Sequence, residues 1–489
     1  MKGSKINVNR FLAARSGERN ATKGSGQGDS RKTAAVVPLT QRDATHSLAG
    51  GEGRVRGRSI GIRATKLVET LQPEWGFSCQ RQSKNENLHR RTDPGITPRM
   101  LPLNIPWLIR NFLAKTFALQ MGTVCLCVVA VSLNAQGAPA GRDSFNRFIG
   151  LDDFSSFTRT TNETGQTVLL SPVIQSPIDW DELVVSWDAA APAGTFLTVE
   201  ASAVSAGQAT KFYSWGLWSL DNEKYPRHSA DQQKDADGEM RTDTLILSRP
   251  ADAVQVRVTL GGTNSESVRG NRELPALEFL GLSFCNTNVA PPSRRPNRRA
   301  WGKIISTPER SQNSYPEEQG WCSPTSLSMV LSRWAAVLHR PEMDLDVPEV
   351  ARAVYDRQWH GTGNWPFNTA FAGSFNGMRA YVTRFSDISE LEDWVAAGIP
   401  VIISAPWELL KPGRHEASAG HLTVCIGFTK SGDVVINDPA TNLKKESVRR
   451  IYRRQDVIRA WAASHNTVYL VYPESAKIPR NRLGQWASK

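Results

Sequence analysis

The stretch Gln319-Gly-Trp-Cys322-Ser-Pro-Thr-Ser326 constrains this chain most. It sets one cysteine directly ahead of an apolar run in which Leu327, Val330, Leu331, Trp334 and Leu338 recur at helical spacing. Pro324 falls in the first turn, where its missing N–H costs nothing. A helix over 325–338 therefore starts at Cys322. Unpaired backbone N–H groups and the helix dipole at such a start favour an anion, so a thiol there loses its proton more readily.

The residues that could use such a thiol come about a hundred positions later. In His421-Leu-Thr-Val-Cys425-Ile-Gly-Phe428, Leu422, Val424, Ile426 and Phe428 alternate and face a core, while His421, Thr423 and Cys425 face the other way. A turn at 430–433 leads into the returning strand Val434-Val-Ile-Asn-Asp438. The hairpin carries a carboxylate back toward the imidazole. An unbulged two-residue turn at Ser431-Gly432 would set Asp438 opposite Cys425, four residues from His421. A longer loop, a bulge or strong twist has to close that gap. Further helices are expected at 347–355 and 388–397, and a buried strand at 399–404. The Gly- and Trp-rich segment 359–368 reads either as a cleft wall or as a packed Ω-loop.

These boxes resemble those of the papain-fold cysteine peptidases related to the double-glycine leader peptidases of bacteriocin exporters. The resemblance rests on Gln-Gly-Trp-Cys-Ser-Pro-Thr-Ser, Gly-His-Leu-Thr-Val and Val-Ile-Asn-Asp-Pro-Ala and covers about residues 301–475. It implies Cys322 as nucleophile, His421 as base and Asp438 as the residue orienting the imidazole. The family also has a glutamine upstream of the cysteine that helps hold the oxyanion. It usually stands six residues ahead, where this chain has Pro316. Gln312 with an inserted loop is the preferred counterpart, and Gln319 the alternative. The implied chemistry is acyl transfer through an acyl-enzyme. Cys425 has neither helix start nor Pro-Thr-Ser neighbours and is assigned to packing.

The rest of the 489 residues divides by composition. Residues 1–99 are rich in Gly, Ser, Arg and Thr without sustained period, and read as a disordered tail or a translated stretch upstream of the true start. Residues 1–100 hold 19 Lys/Arg against 8 Asp/Glu, a net +11 of the chain's +12. The basic balance belongs to that tail, and no nucleic-acid groove is expected. Residues 100–138 have secretory signal grammar: Arg110 and Lys115, an apolar core at 122–133, then Ala135, Gly137 and Ala138. Secretion or a cell-envelope location follows, with membrane contact only if 116–134 stays uncleaved.

Residues 139–290 carry short strand-like runs and turn residues, expected as an all-β sandwich. A phase change between Phe279 and Leu280 marks a bulge. Trp180, Tyr213, Trp215 and Trp218 read as core or, alternatively, as a face for a cell-surface polymer. The Pro- and Arg-rich stretch 291–300 is an extended linker, and 301–489 the α+β papain-like domain. Three cysteines after cleavage make no disulfide framework, and no Cys-x-x-Cys or His-rich spacing occurs, so neither metal nor cofactor is expected. The function expected is an exported cysteine peptidase acting on a peptide or protein substrate. The alternatives are an amidase or acyltransferase of the same fold acting on cell-wall peptides, and an inactive scaffold.

Overall fold

The computed structural model describes residues 142–489 except 231, 263–272, 316–319, 418, 444–445, 485 and 488–489. The basic tail 1–99, the signal or anchor segment 100–138 and Gln319 lie outside the described residues. Two sheets make up most of the structure.

The first sheet has eleven strands: β1 (Asn146–Leu151), β2 (Thr158–Thr161), β3 (Thr167–Leu170), β4 (Ile174–Ala190), β5 (Thr195–Ser205), β6 (Gln208–Ala209), β7 (Tyr213–Trp218), β8 (Gly238–Arg241), β9 (Thr244–Gly262), β10 (Ala276–Cys285) and, from the far end of the chain, β17 (Trp486–Ala487). No helix interrupts the first ten strands among the described residues. All eleven belong to one hydrogen-bonded network, where turn spacing led us to expect a sandwich. The reason lies in β4 and β9, which exchange partners along their length. β4 pairs with β9 over its first half and with β10 over its second. Register shifts at Gln175/Trp180 and Trp180/Glu182 let it bend between the two. The bulge of β10 falls between Leu277 and Phe279, slightly earlier than the phase change suggested. Trp180, Tyr213, Trp215 and Trp218 are all buried, so these four offer no aromatic face to a polymer.

The second sheet is antiparallel, in the order β11 (Met378–Arg384), β16 (Thr467–Pro473), β12 (Val401–Ser404), β13 (Leu422–Phe428), β14 (Val434–Asn437), β15 (Arg449–Tyr452). Five α-helices among the described residues accompany it: α1 (Cys322–Leu338), α2 (Val347–Val354), α3 (Trp365–Gly373), α4 (Ile388–Ala396) and α5 (Arg454–Ala462). Their starts differ. Asp346 and Glu349 close a capping box on α2, Asn364 caps α3 and Asp387 caps α4. The start of α1 has no side-chain cap. Its first-turn N–H groups are left to the thiol and whatever approaches it.

The two sheets share one apolar core. Phe367 of α3 packs on Trp187 and Trp218 of the first sheet, and Phe148 stacks on Tyr381 at 4.6 Å. Each such aromatic removed from water contributes about 1.5–3 kcal/mol. Buried polar contacts cross the same boundary. The Asp243 carboxylate accepts from Trp365 N (2.9 Å) at the start of α3, and Arg384 Nη2 donates to Glu182 (2.6 Å). The linker is exposed, but its end is pinned to α4: Asn297 N donates to Glu392 and Asn297 Nδ2 to Asp393, each at 2.6 Å.

Candidate functional site

Helix periodicity sets the first half of the site. Cys322 and Ser326 are four residues apart and share a face of α1. Ser326 Oγ donates to Leu422 O (3.1 Å), the residue after His421. Ser323 Oγ and the buried Tyr469 hydroxyl lie 3.0 Å apart. These bonds fix the helix start against β13 and β16. Cys322 is partly exposed and His421 is buried at 4%.

Strand register sets the second half. The loop between β13 and β14 runs from Thr429 to Asp433, with Gly432 at φ +90°. A register shift lies between Cys425 and Gly427, and Val424 pairs with Asn437. One step further brings Asp438 opposite Thr423, two residues from His421 and on the same face. The longer loop and the bulge together correct the unbulged register that would have stranded the carboxylate beside Cys425. The contact results: His421 Nε2 and Asp438 Oδ1 are 2.9 Å apart. With Nε2 occupied by Asp438, the other ring nitrogen is left to act on Cys322, whose thiol His421 draws down.

Asp438 is fully buried and has further partners. Ala440 N donates to Oδ1 (3.0 Å) and the Tyr452 hydroxyl to Oδ2 (2.5 Å). Tyr452, on β15, was not found from the sequence. Its only signal there was an aromatic residue after a run of arginines, which says nothing of a carboxylate fourteen positions away.

The electrostatics follow from this packing. Burial works against every charge here, and the partners overcome it. The thiol of Cys322 would be pushed up by burial. The His421 hydrogen bond and charge, with the N–H groups of Leu422 and Ser323, bring it below its ordinary value. Burial pulls His421 down, but the charge and hydrogen bond of Asp438, aided by Cys322, raise it to about 10. Burial pushes Asp438 up, while His421, Tyr452 and Ala440 N hold it at about 2. The three side chains thus favour a thiolate–imidazolium pair backed by a carboxylate.

Gln312 opens a short 3-10 turn, Gln312–Ser314, whose N–H bonds to Pro439 O at 2.9 Å. This places the residue beside the Asp438 segment. Its Oε1 is buried without a partner among the described residues, and does not bond to Cys322 or His421. Gln319 lies outside the described residues. His360 and His415 are exposed, and neither joins the site. In the 359–368 segment, residues 359–364 form a packed loop and 365–368 open α3; the loop folds around the buried Asp356 carboxylate, which accepts from Gln358 N, Trp359 N, Asn364 Nδ2 and, from the first region, Ser229 N. Thr362 Oγ1 reaches Gly320 O (3.4 Å), two residues ahead of Cys322.

Residues 304–469, which contain Gln312, Cys322, His421, Asp438 and Tyr452, match the peptidase C39-like family, and residues 138–282 match the peptidase C39 N-terminal domain. Among solved structures, a presumed C39-like peptidase from Bacillus anthracis is 21% identical, covering 36% of this chain and 99% of its own, with a TM-score of 0.28. A mutant VP2 protein of infectious bursal disease virus is 11% identical over 29% of this chain and 32% of its own, with a TM-score of 0.19. No curated protein matches. The two family matches, one to each sheet region, support kinship of this chain with the C39 peptidase family.

Proposed function

We propose that the chain is an exported, papain-like cysteine peptidase, and that Cys322, His421 and Asp438 perform the hydrolysis. The observation carrying this reading is the buried His421–Asp438 hydrogen bond, set beside a Cys322 thiol at the start of α1 that His421 draws below its ordinary value. His421 takes the thiol proton, and the thiolate attacks the substrate carbonyl. The developing oxyanion meets the uncapped first-turn N–H groups of α1. The amine leaves with the proton from His421, giving a thioester. Water then loses a proton to His421 and attacks the thioester, releasing the acid and restoring the thiol. Asp438 fixes the tautomer and orientation of the ring throughout. Gln312 is proposed as a second oxyanion donor, with its amide turning toward Cys322 when substrate enters. Export rests on the sequence of 100–138.

The isolated Oε1 of Gln312 favours a second reading, in which the region binds peptides without cleaving them. A peptide library incubated with wild type, Cys322→Ala and Gln312→Ala separates the two. Cleavage by wild type that vanishes in Cys322→Ala supports the peptidase. Binding without cleavage by folded wild type supports the alternative. Cleavage confined to cell-wall peptide amides would redirect the substrate class and leave the roles of the three residues intact.

A further inference from the structure

One group of metal-ligating side chains comes together among the described residues, and none of its members belongs to the Cys322 site. It comprises Glu182, Cys285 and His465, with one ligand atom from each lying within 4.8 Å of the others. The fold builds it from three distant places. Glu182 on β4 and Cys285 at the end of β10 are direct cross-strand partners, so their side chains share a face. His465 comes from the second region, in the turn after α5, held at φ +51°. Its Nδ1 lies 3.1 Å from Glu182 Oε2. Glu182 and Cys285 are buried, while the His465 side chain is 32% exposed. The group therefore has a buried floor and one open side for entry.

We propose that Glu182, Cys285 and His465 form a zinc site that fastens the first sheet to the second region, with a water-derived hydroxide as the fourth ligand. A thiolate, an imidazole and a carboxylate are the donor types this ion takes in tetrahedral sites. Bonds of about 2.0–2.3 Å hold ligand atoms roughly 3.3–3.6 Å apart in a tetrahedron, so the Glu182–His465 pair at 3.1 Å is already near that spacing and the Cys285 sulfur needs only a small adjustment from within 4.8 Å. The exchange balances. The ion replaces the Cys285 thiol proton, which leaves to water. The His465 ring carries its remaining proton on Nε2, freeing Nδ1 as ligand. Thiolate and carboxylate offset the divalent ion, and with Arg384 still paired to Glu182 a hydroxide as the fourth ligand, its proton also leaving to water, completes the balance. Arg384 stays on Glu182, as it is now at 2.6 Å, and orients the carboxylate from outside. Local spacing excluded a metal because it looks for ligands close in sequence. These three come from residues 182, 285 and 465.

The test uses the full chain carrying Cys322→Ala, which removes the other thiol–imidazole pair able to hold a metal. Cobalt(II) alone is titrated as a spectroscopic stand-in, then displaced with zinc(II). One equivalent of cobalt should give a near-ultraviolet thiolate-to-metal charge-transfer band that zinc abolishes. The band should be lost in Cys285→Ser and in the partly exposed His465→Ala, and kept in Cys425→Ser. Should Cys285→Ser not fold, His465→Ala, on the surface turn, carries the test. Absence of stoichiometric uptake overturns the site and leaves an ion pair of Glu182 with Arg384 and His465. A band that survives both ligand variants also overturns it.

Discussion

Cys322 and Cys425 lie in the same region, one at the start of α1 and the other within β13, and their surroundings act in opposite directions. Around Cys322, burial is outweighed by the His421 imidazole, aided by the N–H groups of Leu422 and Ser323, and the thiol is drawn below its ordinary value. Around Cys425, burial dominates and pushes the thiol up to about 12. Among the described residues its thiol donates to the Gly427 carbonyl at 3.9 Å and otherwise packs in the apolar core, completely enclosed. On the proposed reading, reactivity in this chain is a property of position. A thiol becomes a nucleophile where donors converge on it, and a thiol of the same chain packed in a sheet is a small apolar side chain.

The sharpest way to break this comparison is to exchange the two roles by deletion. Cys322→Ala should reduce peptide hydrolysis by more than about 10³-fold, while Cys425→Ala should keep the rate within about twofold and cost about 1 kcal/mol of stability from lost packing. Rates on a fluorogenic peptide and melting curves of both variants decide it. Equal losses in both would dissolve the distinction.

The carboxylate comes next. Asp438→Asn keeps the shape but reverses the hydrogen bond that sets the His421 tautomer. A drop of about 10²–10⁴ in kcat is expected, with KM little changed. Tyr452→Phe should have a smaller effect. It deletes one donor to a buried carboxylate, so a loss of about 1–2 kcal/mol, roughly tenfold in kcat, is expected. A purely structural tyrosine would lower the melting temperature and leave kcat unchanged.

The smallest effect concerns stability against pH. The folded pKa of His421 is raised, to about 10 from 6.5, so its contribution is complete below 6.5 and is lost as pH rises through 10. The folded pKa of Asp438 is depressed, to about 2 from 3.8, so its contribution is present above 3.8 and is lost as pH falls through 2. In a Cys322→Ala background, which removes the oppositely shifted thiol, the melting temperature should be flat from about 4 to about 6.5 and decline above that. Asp438→Asn should flatten the alkaline decline. An unchanged slope would mean the pair is not coupled to folding.

How much of this was legible in the sequence depends on distance along the chain. The α1 start was readable because the apolar period and Pro324 are local. The His421 and Asp438 strands were readable from alternation, yet their register was not, because a bulge between Cys425 and Gly427 leaves no mark in the pattern. Ser326 bonding to Leu422, and Tyr452 to Asp438, depend on which strands become neighbours. Helix α3 was missed because it is apolar nearly all round, buried between the two sheets, and so lacks an amphipathic stripe. The linker announced two separate bodies. It gave no hint that Trp187, Trp218 and Phe367 would join them through one core.

The central claim is that His421 makes Cys322, and not Cys425, the reactive thiol. Alkylation by iodoacetamide, followed site by site by mass spectrometry from about pH 4 to about pH 10, tests this directly. Cys322 should be modified well below the ordinary thiol range, Cys425 should remain unmodified while the protein is folded, and His421→Ala should shift the Cys322 profile upward by at least about one pH unit, roughly the value of one lost charge partner. A Cys322 profile that titrates like a free thiol and is indifferent to His421 would contradict the account.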